Sequence, residues 1–580
     1  MHPMTGCLFY GFSGQGELYV QAEDGCTGFT LYVNDRAVNV EAAQDGTLCR
    51  ADLSAVTKNG RNTLQVSDVT EGSVHVCIPY PEVIPGTPEE TGISGDALDL
   101  IDTVISCNVE HGFPAAQLAV VKDGKLVYEK AWGNVQTYDR EGNRIESAPV
   151  TTDTLFDLAS NTKMYSVNYA VQYLFSNGQL NPETRITDIL GDAFAEDTIR
   201  IDYAGYEPVS RETAVERKRK LTVRHLLTHR GGFPPGPHYY NDRYDHATQD
   251  YDSDAGNVLY SGTGADAETR EKTKQMIFAT PVMYEPGTAV LYSDLDYMIL
   301  GLCVEAVTGK RLDAYLKEVF WDPMGLTHIT YDPLENGFTE DDCAATELMG
   351  NSRDGQLHYS GIRTDVIRGE VHDPNAYYCM GGVSGHAGLF ASASDLARLA
   401  SVMLSGGYGP NRWFSQDAVD LFTAPNSSDV FHYGLGWWRE GDHVRDRYFG
   451  SVTSSDTFGH QGFTGTLTMI DPEENLVVVL LTNSIHTRLL ENDVTLSKYK
   501  GGFYTTSVLG FVPQILSVGA DSDSRVLRSI LSDMTQDAQR QLQEDGITDE
   551  AHPKYQAYLS LLDALQKWDD RMSEKPRTEA

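Results

Sequence analysis

Strand-forming residues fall into two groups separated by a long helical stretch, and that division limits the folds open to this chain. The first group is a hairpin: residues 115–122, a turn at Asp123-Gly124, and residues 125–132. The second lies far downstream, at residues 434–439, 457–459, 465–470 and 476–482, with a turn over Asp471-Pro472-Glu473-Glu474-Asn475. Between them the pattern is mainly helical to about residue 405; one helix covers residues 221–229 and stops at Gly231-Gly232-Phe233-Pro234-Pro235. A helical insert between two strand groups predicts one sheet assembled from both ends of a domain. The expected class is α+β, not a parallel α/β fold.

Residues 1–85 read differently. Short alternating runs at 17–20, 29–33, 38–40, 63–66 and 74–78, punctuated by Gly, Asn and Asp, predict a small all-β sandwich. The proline-rich segment from Pro79 to Pro88 marks the boundary. A central domain over 86–500 follows, and a C-terminal extension over 501–580 carries two amphipathic helices, 525–543 and 553–572, expected to pack on that domain. The tract 238–266, rich in Asp, Tyr, Asn and Gly, reads as a long surface loop able to wall a pocket.

Charge narrows the partners. With 83 acidic and 45 basic residues the formal net charge is −38, which argues against nucleic acid and anionic membrane as partners. The purest apolar run, residues 476–481, is far too short to span a bilayer and reads as a buried strand. No charged segment followed by an apolar core opens the chain, so the expectation is a soluble protein, cytoplasmic unless an export signal was removed. Cys7, Cys26, Cys49 and Cys77 could form two disulfides after export; Cys107, Cys303, Cys343 and Cys379 read as small buried hydrophobes. No zinc-type pairing occurs, and no metal or cofactor is expected.

Within the helical insert, Ser160-Asn161-Thr162-Lys163 sets a hydroxyl and an amine three residues apart. Behind them Tyr165, Tyr169, Val171, Tyr173 and Leu174 mark a buried helix. On one helix face the lysine nitrogen reaches the serine oxygen. Lysine can take the serine's proton once burial or a neighbouring cation lowers its pKa. The same spacing recurs at Ser497-Lys498-Tyr499-Lys500, but that copy runs into Gly501-Gly502 with no helix to hold it in register. The first copy is the candidate nucleophile.

Residues from about 90 to 500 resemble the penicillin-recognising serine enzymes, a family of class C β-lactamases, DD-peptidases and related esterases. Three motifs carry the resemblance: Phe156-Asp157-Leu158-Ala159 leading into Ser160 and Lys163; Tyr284-Glu285-Pro286-Gly287-Thr288 leading to Tyr292-Ser293-Asp294; and His460-Gln461-Gly462 on a late strand. Residues 221–232, 381–399 and the turn at Asp471-Pro472 match in family order. The run Val371-His372-Asp373-Pro374-Asn375-Ala376 is similar to the penicillin-binding protein 4B branch. The resemblance implies a β-lactamase/transpeptidase-like fold, an antiparallel sheet flanked by helices plus a helical subdomain. It implies Ser160 as a nucleophile that becomes acylated, with Lys163 and Tyr292 sharing its proton. The backbone N–H groups of Ser160 and Phe463 would form the oxyanion hole, and Asp294, His460, Gln461 and Gly462 the substrate side, with His460 in the place of the third-motif cation. His229, His372 and His386 are expected to be structural.

The implied substrate is a small-molecule or peptide acyl compound, a D-alanyl peptide or β-lactam-like amide with weak turnover of the latter. Since the third motif offers His and Gln, an anionic substrate end should be held weakly unless an arginine reaches in from a loop. An esterase or an acyltransferase to an alcohol is the alternative, and a non-catalytic binder with the same fold is a further one.

Overall fold

The computed structural model describes residues 5–42, 49–426, 433–441, 443–518 and 524–574. At its centre is a seven-stranded sheet in the order Trp438–Arg439, Phe458–Gln461, Leu467–Asp471, Leu476–Thr482, Ala115–Lys122, Lys125–Gly133, Ile84–Pro85. The two strand groups meet where Leu476–Thr482 runs antiparallel to Ala115–Lys122, with Lys122 opposite Leu476 and Ala116 opposite Thr482. All pairings are antiparallel except the outermost, where Ile84 and Pro85 run parallel to Lys125 and Leu126. The mixed α+β architecture follows from this closure of early and late strands.

Both faces of the sheet are covered, which is why residues 476–481 are apolar without alternation. Leu476, Val478 and Leu480 enter one core, Val477, Val479 and Leu481 the other. The first core is shared with the helix Gly95–His111, through Leu100 and Val104, and with the C-terminal helix Pro553–Glu574, through Leu561, Leu565 and Trp568. The second takes the helix Ala393–Ser405 and the helical insert, including Tyr165, Tyr169 and Leu300. The tract 238–266 belongs partly to this core: Tyr239 and Tyr240 are buried, and Asn257 donates to the carbonyls of His238 and Asn241 at 2.9 Å each. Surface loop is therefore the wrong description for its first half, because side-chain amides satisfy its backbone and let it bury.

Residues 5–77 form two four-stranded sheets, Thr5–Gly11, Gly60–Ser67, Thr30–Val33 and Arg36–Val38 against Glu41–Ala42, Cys49–Asp52, Glu17–Glu23 and Ser73–Cys77. Leu18, Val20, Leu31, Val33 and Leu64 turn inward between them. The sandwich docks on the end of the central sheet remote from Gln461. Phe12 joins the main core against the Asp123-Gly124 turn, where Gly124 (φ +73°) would bring a Cβ to 2.4 Å from the Phe12 ring. Gln15 donates to the Asp123 carbonyl at 2.8 Å, and Tyr10 to Asn475.

Two expectations change. The connector is part of the larger body, since Tyr80 bridges to Gly409 and Ile84–Pro85 is a sheet strand; a proline is tolerated there because the strand is an edge. All eight cysteines are free thiols, so the two-disulfide possibility is not realised: Cys49 and Cys77 flank the strand Glu17–Glu23 on opposite sides. Among the described residues no helix is long and apolar enough to cross a membrane.

Candidate active site

Ser160 lies in a single 3₁₀ turn, Ala159–Asn161, entered from the short strand Phe156–Asp157. Ala159 adopts φ +45°, a left-handed conformation that costs free energy in a residue with a Cβ. Specific bonds hold it. Asp157 Oδ1 accepts from the Ala159 N–H at 2.8 Å, and Asn161 both donates to Thr466 Oγ1 at 3.0 Å and accepts from Thr468 Oγ1 at 2.9 Å. The turn is thereby tied to the end of the strand Leu467–Asp471. Lys163 opens a wide π-helical turn, Lys163–Asn168, before the regular α-helix Tyr169–Ser176.

Lys163 has no exposed surface, and its Nζ donates to Ser160 Oγ at 3.0 Å, to Asp294 Oδ1 at 2.7 Å and to the His386 carbonyl at 3.2 Å. The Tyr292 ring centre is 4.9 Å from Nζ, which places the phenol beside the amine. Asp294 opens the helix Asp294–Thr308, two residues beyond Tyr292. Residues far apart in sequence thus converge on one amine.

Burial alone would push the Lys163 amine down, but Asp294 and Tyr292 outweigh it and hold the ammonium above its ordinary pKa. The condition set from the sequence, an amine lowered by burial or a cation, is overturned because the charged group at hydrogen-bond distance is an anion. Burial raises the Tyr292 phenol, with Lys163 opposing. His229 packs tilted against the Tyr292 ring, 4.3 Å between ring centres, and accepts the Ser293 N–H at 3.2 Å, with Asp296 at 3.1 Å. Burial lowers the pKa of His229 and raises that of Asp296.

The third-motif strand Phe458–Gln461 borders the site. His460 is fully buried against Trp438, its ring centre 4.8 Å away, and its Nδ1 donates to the Gln461 carbonyl at 2.7 Å. Burial and the nearby Lys163 push its pKa down to about 3. His460 is therefore a neutral ring with no exposed face, and it cannot stand in for a third-motif cation. Gln461 and Phe463 face outward, the latter 43% exposed. Gly462 fits where nothing larger would: an added Cβ would come within 2.3 Å of both the Leu158 carbonyl and Thr466 Oγ1. Gly462→Ala should lower kcat/KM by at least about tenfold, through displacement of the strand from the nucleophile turn, and destabilise by about 1–3 kcal/mol. Steady-state kinetics with thermal unfolding checks this; unchanged kinetics would mean that the contact is slack.

Several residues here carried no local signal in the sequence. Phe463 stacks on His372 at 5.8 Å and lies 5.5 Å from the Arg353 guanidinium. An arginine does reach in from a loop, but it is committed to Glu347 at 3.0 Å and to the Tyr499 hydroxyl. Glu347 also holds His372, whose N–H donates to Asp157 Oδ2 at 2.7 Å. His386 bonds to Asp373 at 2.7 Å. The second serine–lysine pair is not assembled, although a short helix, Lys500–Tyr504, does follow it: Ser497 bonds to Thr495 at 2.6 Å and Lys500 to Glu491 at 2.6 Å.

Two trios among the described residues bring metal-ligand atoms within 4.8 Å of one another, Asp294, Asp373 and His386, and Glu440, His443 and Asp446. In the first, the Lys163 ammonium already sits on Asp294 and the His386 ring on Asp373, so the protein's own groups fill it.

The beta-lactamase family profile matches residues 100–496. A protein of Escherichia coli (strain K12) described as "Putative D-alanyl-D-alanine carboxypeptidase" is 40% identical over 436 residues, 75% of this chain and 93% of that one. A Salmonella typhimurium protein of the same description is 36% identical over 438 residues, 75% of this chain and 94% of that one. Two solved structures share the fold. Unliganded simvastatin synthase from Aspergillus terreus does so at TM-score 0.51 and 18% identity, over 74% of this chain and all of that one. EstCE1, a hydrolase with promiscuous acyltransferase activity, does so at TM-score 0.50 and 18% identity, with the same coverage. The profile spans all three motifs, and the chain belongs to the beta-lactamase family of serine hydrolases.

Proposed function

We propose that the protein is a serine acyl hydrolase of DD-carboxypeptidase type that works through an acyl-enzyme on Ser160. The observation that carries this reading is the buried Lys163 amine 3.0 Å from Ser160 Oγ, with the Tyr292 ring centre 4.9 Å from that amine. Asp294 keeps Lys163 charged, so its role is to stabilise an anion, and Tyr292, as phenolate, takes the serine proton. Ser160 Oγ attacks the acyl carbonyl, and the backbone N–H groups of Ser160 and Phe463 receive the oxyanion. As the C–N bond breaks, the Tyr292 phenol returns its proton to the leaving amine. A water then gives a proton to the phenolate and attacks the acyl ester; Ser160 recovers its proton from Tyr292 as the acid departs.

The descriptions of the relatives support an amide substrate ending in D-alanine. The test is release of D-alanine from a peptide ending in D-Ala-D-Ala, together with labelling by a fluorescent penicillin. Both should depend on Ser160; a protein that does neither, yet hydrolyses a chromogenic butyrate ester, is instead an esterase or acyltransferase. The neutral His460, which offers an anionic substrate end no charge, favours that second reading.

Asp294→Asn gives a pH test. Asp294 opposes ionisation of the Tyr292 phenol, so in the native protein the phenolate that takes the serine proton appears only as pH rises. Without Asp294 that opposition is gone, while Lys163 still favours the phenolate. The rise of the pH–rate profile should then move to lower pH by about one unit or more. An unmoved profile would show that Asp294 does not set the ionisation of Tyr292.

A further inference from the structure

The second trio of possible metal ligands is built differently from the first. Glu440, His443 and Asp446 follow one another at intervals of three residues, on the segment that leaves the strand Trp438–Arg439 and enters the helix Asp446–Phe449. One ligand atom from each lies within 4.8 Å of the other two. His443 Nδ1 is 3.1 Å from Asp446 Oδ1, close to the separation of about 3.4 Å between neighbouring ligands of a tetrahedral zinc ion. Glu440 is the unusual member. It is 2% exposed, and among the described residues both of its carboxylate oxygens lack a hydrogen-bond partner. A carboxylate withdrawn from water without hydrogen bonds is stabilised by a cation at contact distance. Its backbone is fixed, since the Glu440 N–H donates to the Thr457 carbonyl at 2.9 Å. The side chains of His443 and Asp446 are exposed, which gives an ion a way in.

We propose that Glu440, His443 and Asp446 bind a divalent first-row transition cation, with zinc as the ion that these donors suit best. One imidazole beside two carboxylates is a mixed nitrogen and oxygen set. Zinc accepts such a set, whereas calcium and magnesium favour oxygen alone. The inference is independent of the acyl-transfer reading of Ser160. The bound ion closes the segment 440–446 on itself, and that segment carries Arg445. The Arg445 guanidinium lies 4.0 Å from the Trp438 ring centre, and Trp438 packs on His460. The role this placement gives the ion is to fix the outer edge of the sheet behind the third motif.

The experiment is calorimetric titration of the full chain, stripped with EDTA, with zinc chloride and separately with calcium chloride. Zinc should bind at a site that His443→Ala and Glu440→Gln each weaken by at least about tenfold. Calcium should bind there at least about tenfold more weakly than zinc. Comparison with the variants subtracts any zinc held by the exposed thiols of Cys7 and Cys77. His443 is exposed, so its alanine variant should keep native thermal stability in the zinc-free state. Hydrogen exchange of the zinc-loaded against the zinc-free chain locates the ion: exchange should slow by about tenfold or more in the fragment that contains residues 438–450, and not in His443→Ala. No zinc binding, binding left unchanged by either substitution, or slowed exchange confined to other fragments overturns the site. Calcium binding as tight as that of zinc overturns the transition-metal assignment.

Discussion

Ser160→Ala should lower turnover by about 10⁴-fold or more, while Ser497→Ala leaves kcat/KM within about twofold of the wild type. The serine–lysine spacing is identical in the two segments, so what separates them is assembly. Around Ser160 the lysine is buried, the Tyr292 ring lies 4.9 Å from its Nζ, and Asn161 locks the turn to Thr466 and Thr468. Around Ser497 the hydroxyl bonds to Thr495, and the lysine leaves toward Glu491. Alanine at 160 removes one atom and leaves the bonds of Asp157 and Asn161 in place, so the variant should fold with native thermal stability. Loss of turnover with retained stability is the signature sought. An inactive Ser497→Ala beside an active Ser160→Ala would move the nucleophile to the other copy.

Arg353→Ala should destabilise the protein by about 3–5 kcal/mol, the largest single effect expected outside the nucleophile. Burial would raise the Glu347 carboxyl; Arg353 and His372 reverse this and hold it below its ordinary pKa. The Glu347 side chain is 3% exposed and that of Arg353 16%, so removal of the guanidinium strands a buried anion with the His372 ring still bonded to it. In the variant, burial lifts the carboxyl pKa above its unfolded value. The folded state then holds a proton that the unfolded state releases, and stability falls as pH rises between the two values. The penalty should be smaller near about pH 5 than near about pH 8, and Glu347→Gln in the same chain should recover part of it. Thermal unfolding across that range reads the effect; a penalty independent of pH would mean that Glu347 is not the stranded charge.

How much could be read beforehand depended on whether a residue's role is set by its near neighbours. The run at 476–481 showed its two-sided burial directly in its composition, and the Asp123-Gly124 turn showed its hairpin, because both are local patterns. The position of Ser160 at the head of a buried helical segment was legible in the same way, though the π-helical turn that follows was not. Charge states were not legible. Lys163 and Asp294 are far apart in sequence, and only the 2.7 Å between them reveals that the amine is held charged. His460 reads as a strand-end cation until Trp438 is found packed on its ring. Arg353 and Glu347 lie in a stretch without period, so no pattern singles them out. The connector read as a linker from its prolines, yet an edge strand admits proline because its outward N–H needs no partner.

The measurement that bears most directly on the central claim is mass spectrometry of the protein quenched during turnover of a D-Ala-D-Ala peptide or a chromogenic ester. The account predicts an added acyl mass on the proteolytic fragment that contains Ser160, absent from Ser160→Ala. Steady turnover with no adduct on that fragment, or an adduct located on another residue, would contradict it.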